Sequence, residues 1–146
     1  MKKYKIGYTS GVYDMFHIGH LNILKKAKEQ CDYLIVAVST DELVLKEKNK
    51  KTIIPFDERV EIVKAIKYVD EVVPQFDKDK FGAWEKYHFN VMFVGDDWKG
   101  KVLFKQAEEK LSKVNVDVVY FPYTKHISST LIREKLNNIN KNISKG

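Results

Sequence analysis

The chain has 146 residues, one domain's worth, with 44% hydrophobic and 32% charged residues, proportions that suit a packed soluble core and exclude a disordered or fibrous chain. Its net charge of +6 is spread along the sequence, with one cluster at Lys46–Lys51, and no basic tract interleaved with aromatics points to a nucleic-acid groove. A single cysteine, Cys31, excludes an intrachain disulfide, and neither a signal pattern nor an apolar run of about 18 residues is present, so a cytoplasmic protein is expected.

An apolar segment from Tyr4 to Thr9 reads as a first strand. Gly11-Val-Tyr-Asp-Met-Phe-His-Ile-Gly-His20 follows it and runs into Leu21, Ile23, Leu24 and Ala27, which have helical spacing. A strand therefore turns into a helix that carries two imidazoles at its start. The free N–H groups of a helix N-terminus favour anions, and His17 and His20, three apart, share one face. Gly19 between them lets a ligand approach the backbone. Two imidazoles aimed at one anion suit a reaction that builds charge on phosphate oxygens, the alternatives being helix-start residues or ligands of a structural metal.

Asp32–Val38 is a nearly continuous apolar run, as expected of a strand covered on both faces of a parallel sheet. Ser39-Thr-Asp-Glu42 caps a short helix through Leu45, and the basic stretch Lys46–Lys51 follows as a loop, either merely solvated or part of the ligand face at the strand C-terminal ends. Phe56-Asp-Glu-Arg59 opens an amphipathic helix with Val60, Ile62, Val63 and Ile66 near one face. Arg59 sits in its first turns against the helix dipole, a pointer to function that competes with a surface ion pair.

Tyr68–Pro74 reads as the third strand, Asp77–His88 as a helix with Phe81, Trp84 and Tyr87, and Asn90–Val94 as the fourth strand. Gly95-Asp-Asp-Trp-Lys-Gly100 leaves that strand as a special turn, its aspartates serving a ligand or capping the next helix, Val102–Leu111. Val116–Phe121 is the fifth strand. Beyond Pro122, Ser128–Thr130 stand at a helix N-terminus, where hydroxyls and free N–H groups either hold phosphates or cap the helix. The polar tail, 136–146, is expected to fray.

These stretches together resemble a known family. His17-Ile-Gly-His20 is similar to the H-x-G-H signature of the nucleotidylyltransferase superfamily, and Gly11-Val-Tyr-Asp14 resembles the G-x-F-D of cytidylyltransferases. Tyr68-Val-Asp-Glu-Val-Val-Pro74, Gly95-Asp-Asp-Trp-Lys-Gly100 and Ile127-Ser-Ser-Thr130 resemble, in order, further motifs of the glycerol-3-phosphate cytidylyltransferases. Three departures stand out. Lys67 occupies a position where the family often has arginine, and Tyr123 and His126 replace the arginine and glycine of R-T-E-G-I-S-T-T.

The resemblance implies a single α/β domain, residues 1–146, with a Rossmann-like, five-stranded, mostly parallel sheet and helices on both faces. It implies transfer of CMP from CTP to a small phosphomonoester, glycerol 3-phosphate or a related phosphorylated alcohol, forming a precursor of a surface polymer or lipid. Adenylyl transfer and a non-catalytic nucleotide-binding module are the alternatives. His17, His20, Lys46 and Arg59 would act on the reacting phosphates. Thr9, Ser10, Gly11, Val12, Tyr13, Asp14, Gly19, Gly95, Asp96, Asp97, Trp98, Tyr123, Thr124, Ile127, Ser128, Ser129 and Thr130 would bind the nucleotide. Lys46, Lys48, Lys67 and Asp70 would take the acceptor, Mg²⁺ would accompany the triphosphate, and the protein would be a homodimer.

Overall fold

The computed structural model describes residues 3–95, 102–122 and 136. Ten elements alternate along it: β1 (Tyr4–Gly11), α1 (Ile18–Gln30), β2 (Cys31–Ser39), α2 (Asp41–Lys48), α3 (Phe56–Lys64), β3 (Glu71–Gln75), α4 (Lys80–Tyr87), β4 (Val91–Gly95), α5 (Val102–Ser112) and β5 (Asp117–Phe121). The strands form one sheet in the order β3-β2-β1-β4-β5, and every pairing is parallel. Parallel strands need crossover connections, and the helices that supply them cover both faces.

The period-2 alternation of the strands sorts the core into two layers. Leu34, Val36 and Val38 of β2, with Val91 and Phe93 of β4, pack with Leu24 and Ala27 of α1 and Val63 of α3. The intervening Ile35, Ala37 and Met92 pack on the other face with Phe104 and Leu111 of α5 and with Phe81 and Trp84 of α4. The apolar run of β2 is continuous because both its faces are buried. At Gly7 one core layer packs so closely that a Cβ would lie 2.7 Å from both Cys31 Sγ and a Phe93 ring carbon. Cys31 is fully buried there, the last helix-linked residue of α1 and the first of β2, so its role is packing.

Three element boundaries differ from the sequence expectation. The helix expected to end at Leu45 continues to Lys48 and stops at Asn49, whose left-handed backbone (φ 51°) lets its N–H reach Leu45 O. Lys46 and Lys48 are thus helical, in the last turn where cations suit the dipole, rather than in a loop. The third strand starts at Glu71 instead of Tyr68, because Asp70 spends both its N–H and its carboxylate on Leu34 of β2 as a bracket. It also runs through Pro74, which an edge strand tolerates because one of its sides carries no ladder. The helix expected from Asp77 starts at Lys80, capped by Asp79, and ends at His88 in a left-handed conformation.

The order β3-β2-β1-β4-β5 reverses direction between β1 and β4. The helices that follow those two strands, α1 and α5, pack in the opposite core layers, and open α/β sheets bind ligands in the crevice outside the strand ends at such a point. No described helix is long and apolar enough to cross a membrane.

Candidate active site

The crevice is bordered by the β1–α1 turn, residues 12–17. Two non-glycine residues there, Tyr13 (φ 56°) and Met15 (φ 50°), have left-handed backbone. Such geometry costs about 1–3 kcal/mol per residue and persists only where the surroundings impose it. Here Tyr13 is buried in the core layer beneath the turn and Asp14 is 3% exposed.

His17 is the N-cap of α1, and its Nδ1 accepts the Gly19 N–H at 3.0 Å, while His20 Nδ1 accepts the His17 N–H at 3.2 Å. This is a capping box built from two imidazoles instead of a hydroxyl and a carboxylate. It has a chemical consequence. With Nδ1 accepting in both rings, each neutral imidazole carries its proton on Nε2. The rings stack with centroids 4.0 Å apart, and Tyr13 and Phe16 brace His20 at 5.4 and 5.2 Å. Among the described residues His17 Nε2 is a buried donor with no partner. An unsatisfied buried N–H costs free energy that an incoming acceptor oxygen would recover.

Burial lowers the pKa of His17, and burial together with the neighbouring His17 brings His20 from 6.5 to about 4. Both rings are therefore neutral N–H donors at pH 7. The unfolded chain takes up a proton at His20 near pH 6.5 and the folded chain only near 4, so the stability this ring confers is present above 6.5 and is lost as pH falls toward 4. The loss from His20 reaches up to about 3 kcal/mol, at about 1.4 kcal/mol per unit. We expect the urea midpoint to drop between pH 7 and pH 4.5, and His20→Asn to flatten that slope. An unchanged slope in the variant would assign the effect to other groups.

Arg59 was expected to face the reacting anions, and the structure places it otherwise. Its side chain is fully buried. Nη1 donates to Val12 O and Ser39 O at 2.7 Å each, Nε to Ile54 O at 2.9 Å, and Nη2 to Asp41 Oδ1 at 2.6 Å. Four of its five N–H donors are engaged by the protein, so the guanidinium ties the exits of β1 and β2 to the segment before α3. Asp14, expected to bind nucleotide, accepts the Ile53 and Ile54 N–H groups at 2.9 and 2.8 Å.

The remaining expected residues fall in different places. Thr9, Ser10, Gly11 and Val12 lie on β1 or its turn and Gly19 in the first turn of α1, although the buried Thr9 hydroxyl donates to Phe93 O and so bonds β1 to β4. Gly95 ends β4 beside Phe121. Lys46 and Lys48 are exposed on α2, whose N-terminus adjoins the C-terminal end of β2. Lys67 and Asp70 are not brought to the site: Asp70 brackets Leu34 and pairs with Lys28 at 2.6 Å, four residues below Val38 on β2, about 13 Å along the strand, and the Lys67 ammonium lies over the Tyr68 ring. Asp96, Asp97, Trp98, Tyr123, Thr124, Ile127, Ser128, Ser129 and Thr130 lie outside the described residues.

One group at this end escaped the sequence reading. Lys80 is 9% exposed, and its ammonium donates to Ser10 Oγ at 2.7 Å and Gln75 Oε1 at 2.8 Å, while Gln75 Nε2 donates to Ser39 Oγ at 2.8 Å. Both partners of the ammonium are uncharged, and burial lowers its pKa from 10.5 to about 8. A signal did exist: Lys80 opens α4, where a cation opposes the helix dipole, the same anomaly that marks Arg59.

A parallel sheet with paired imidazole donors at the helix that leaves β1, and buried cations around the strand ends, suits a nucleotidyltransferase. The cytidylyltransferase-like family model matches residues 8–135, and the chain belongs to that family. It is 38% identical over 135 residues to glycerol-3-phosphate cytidylyltransferase of Bacillus subtilis, a match covering 88% of this chain and 94% of the relative. It is also 51% identical over 118 residues to FAD synthase of Pyrococcus abyssi, covering 79% and 78% respectively. Among solved structures, the lipopolysaccharide core biosynthesis protein of Thermoplasma volcanium superposes with a TM-score of 0.68 at 22% identity, covering 83% of this chain and 97% of that one, a likeness of fold.

Proposed function

We propose that the protein transfers CMP from CTP to glycerol 3-phosphate or a related small phosphorylated alcohol. A phosphomonoester oxygen attacks the α-phosphorus of the nucleotide, the bond to the β-phosphate oxygen breaks, and pyrophosphate leaves with the electron pair. The observation that carries this reading is the pair of neutral Nε2–H donors at the β1–β4 crevice, one of them buried without a partner among the described residues. Donors fixed in advance stabilise charge that grows on phosphate oxygens without reorganising during the reaction.

His17 and His20 act on the triphosphate and its transition state. Ser128, Ser129 and Thr130 hold the outer phosphates, and Asp96 serves the nucleoside. Lys46 and Lys48 draw in the acceptor, and Lys80, whose two partners are neutral, adds positive charge behind Ser10. Two anions then meet with their repulsion offset. Mg²⁺ bound to the triphosphate would lower its charge. Asp14, the carboxylate of this turn, accepts two backbone N–H groups, and the residues named above would hold the phosphates on which the ion acts.

The 51% identity to an FAD synthase supports a second reading, adenylyl transfer to a flavin phosphomonoester. Pyrophosphate release with Mg²⁺, crossing CTP and ATP against glycerol 3-phosphate and riboflavin phosphate, separates the two. We expect release with CTP and glycerol 3-phosphate. Release confined to ATP and the flavin would establish the second reading, and no release from any pair while nucleotide still binds would favour a binding module.

A further inference from the structure

The segment between α2 and α3 is stitched to the nucleotide turn from both sides. Asp14, in the turn, accepts the N–H groups of Ile53 and Ile54. Arg59, at the start of α3, returns the tie by donating to Val12 O in the turn and to Ile54 O in the segment. Asp41, the first residue of α2, closes the ring: it takes Arg59 Nη2, the Thr52 hydroxyl at 2.7 Å and the Phe56 N–H at 3.1 Å. Every bond joins residues at least eleven positions apart or crosses from one element to the next, except the short link from Arg59 to Ile54. The basic face at Lys46–Lys51 therefore hangs on the same frame as the turn that carries His17 and His20.

We propose that Asp14 and Arg59 are positioning residues that couple the two substrates: nucleotide fixed on the β1–α1 turn orders the segment 49–56, and with it the basic surface that receives the acceptor phosphate. Asp14 on this view acts through the Ile53 and Ile54 amides and not as a ligand of the nucleotide. The proposal rests on the reading of the crevice as a nucleotide site. Coupling is reciprocal, so acceptor bound at the basic face tightens nucleotide by the same factor.

Hydrogen exchange of the full chain tests this without knowledge of the acceptor. Peptides spanning 49–57 are followed with and without Mg²⁺ plus CTP, and separately ATP, in the wild-type protein and in Asp14→Asn, with nucleotide Kd measured by calorimetry. Asparagine keeps the shape but turns an NH₂ toward one of the two N–H donors. The expected result is that nucleotide slows exchange across the segment by about fivefold or more in wild type and by less than about twofold in the variant, whose nucleotide Kd stays within about threefold. Exchange that ignores bound nucleotide in wild type overturns the coupling, an arm that stands even if the variant does not fold. A Kd weakened about tenfold or more in a folded Asp14→Asn makes Asp14 a nucleotide ligand and overturns its positioning role. Failure of both nucleotides to bind the wild type removes the site reading itself, and the proposal with it.

Discussion

His17→Ala is expected to lower kcat by about 10²–10³-fold while leaving a folded protein. The ring is the N-cap of α1 and also the owner of the buried, unpartnered Nε2. Loss of a cap costs about 1 kcal/mol of stability, far less than a domain of this size commands. The catalytic loss is larger because the donor is fixed in place before the reaction, held by the Gly19 N–H on its far nitrogen and by the His20 ring at 4.0 Å. Steady-state pyrophosphate release beside a thermal melt distinguishes the two effects. A variant that turns over at a near-normal rate would remove His17 from the transition state.

Arg59→Ala is expected to destabilise the fold by about 2–4 kcal/mol, because removing a fully buried guanidinium leaves buried carbonyls without a donor, at about 1–3 kcal/mol for each one left unsatisfied. The substitution would leave Asp41 without its cation and strip a donor from the carbonyls of Val12, Ser39 and Ile54. Arg59→Lys keeps the charge but cannot reach four acceptors in a plane, so it should recover only part of the loss. Urea denaturation of the three proteins gives the comparison. A loss below about 1 kcal/mol in Arg59→Ala would mean that the guanidinium is not the tie described here.

The sequence expectation and the structure part company over Arg59 for a physical reason. A cation in the first turns of a helix, against the dipole, signals that something other than local propensity holds it there. The same signal stands at Arg59 and at Lys80. What it cannot show is whether the cation meets a ligand or the protein's own carbonyls, because the acceptors of Arg59 come from Val12 and Ser39, 47 and 20 residues away. Asp14 is a parallel case, since its partners are backbone groups about 40 residues downstream. A motif gives no height along the strand for Asp70, and only the register, Ile35 opposite Glu71, puts it on the far side from the crevice.

The sequence by itself determined the alternation of strands and helices, the burial of β2 on both faces, and the meeting of a strand end, a turn and two histidines. Each of these depends on residues within a turn or two of one another, where helical and strand periodicity act. The family follows from the same local motifs taken in order. Only the tertiary structure decided which polar side chains hold the frame and which remain available for a ligand. That choice depends on hydrogen-bond partners brought together from distant parts of the chain, and burial makes an unpaired one too costly to leave.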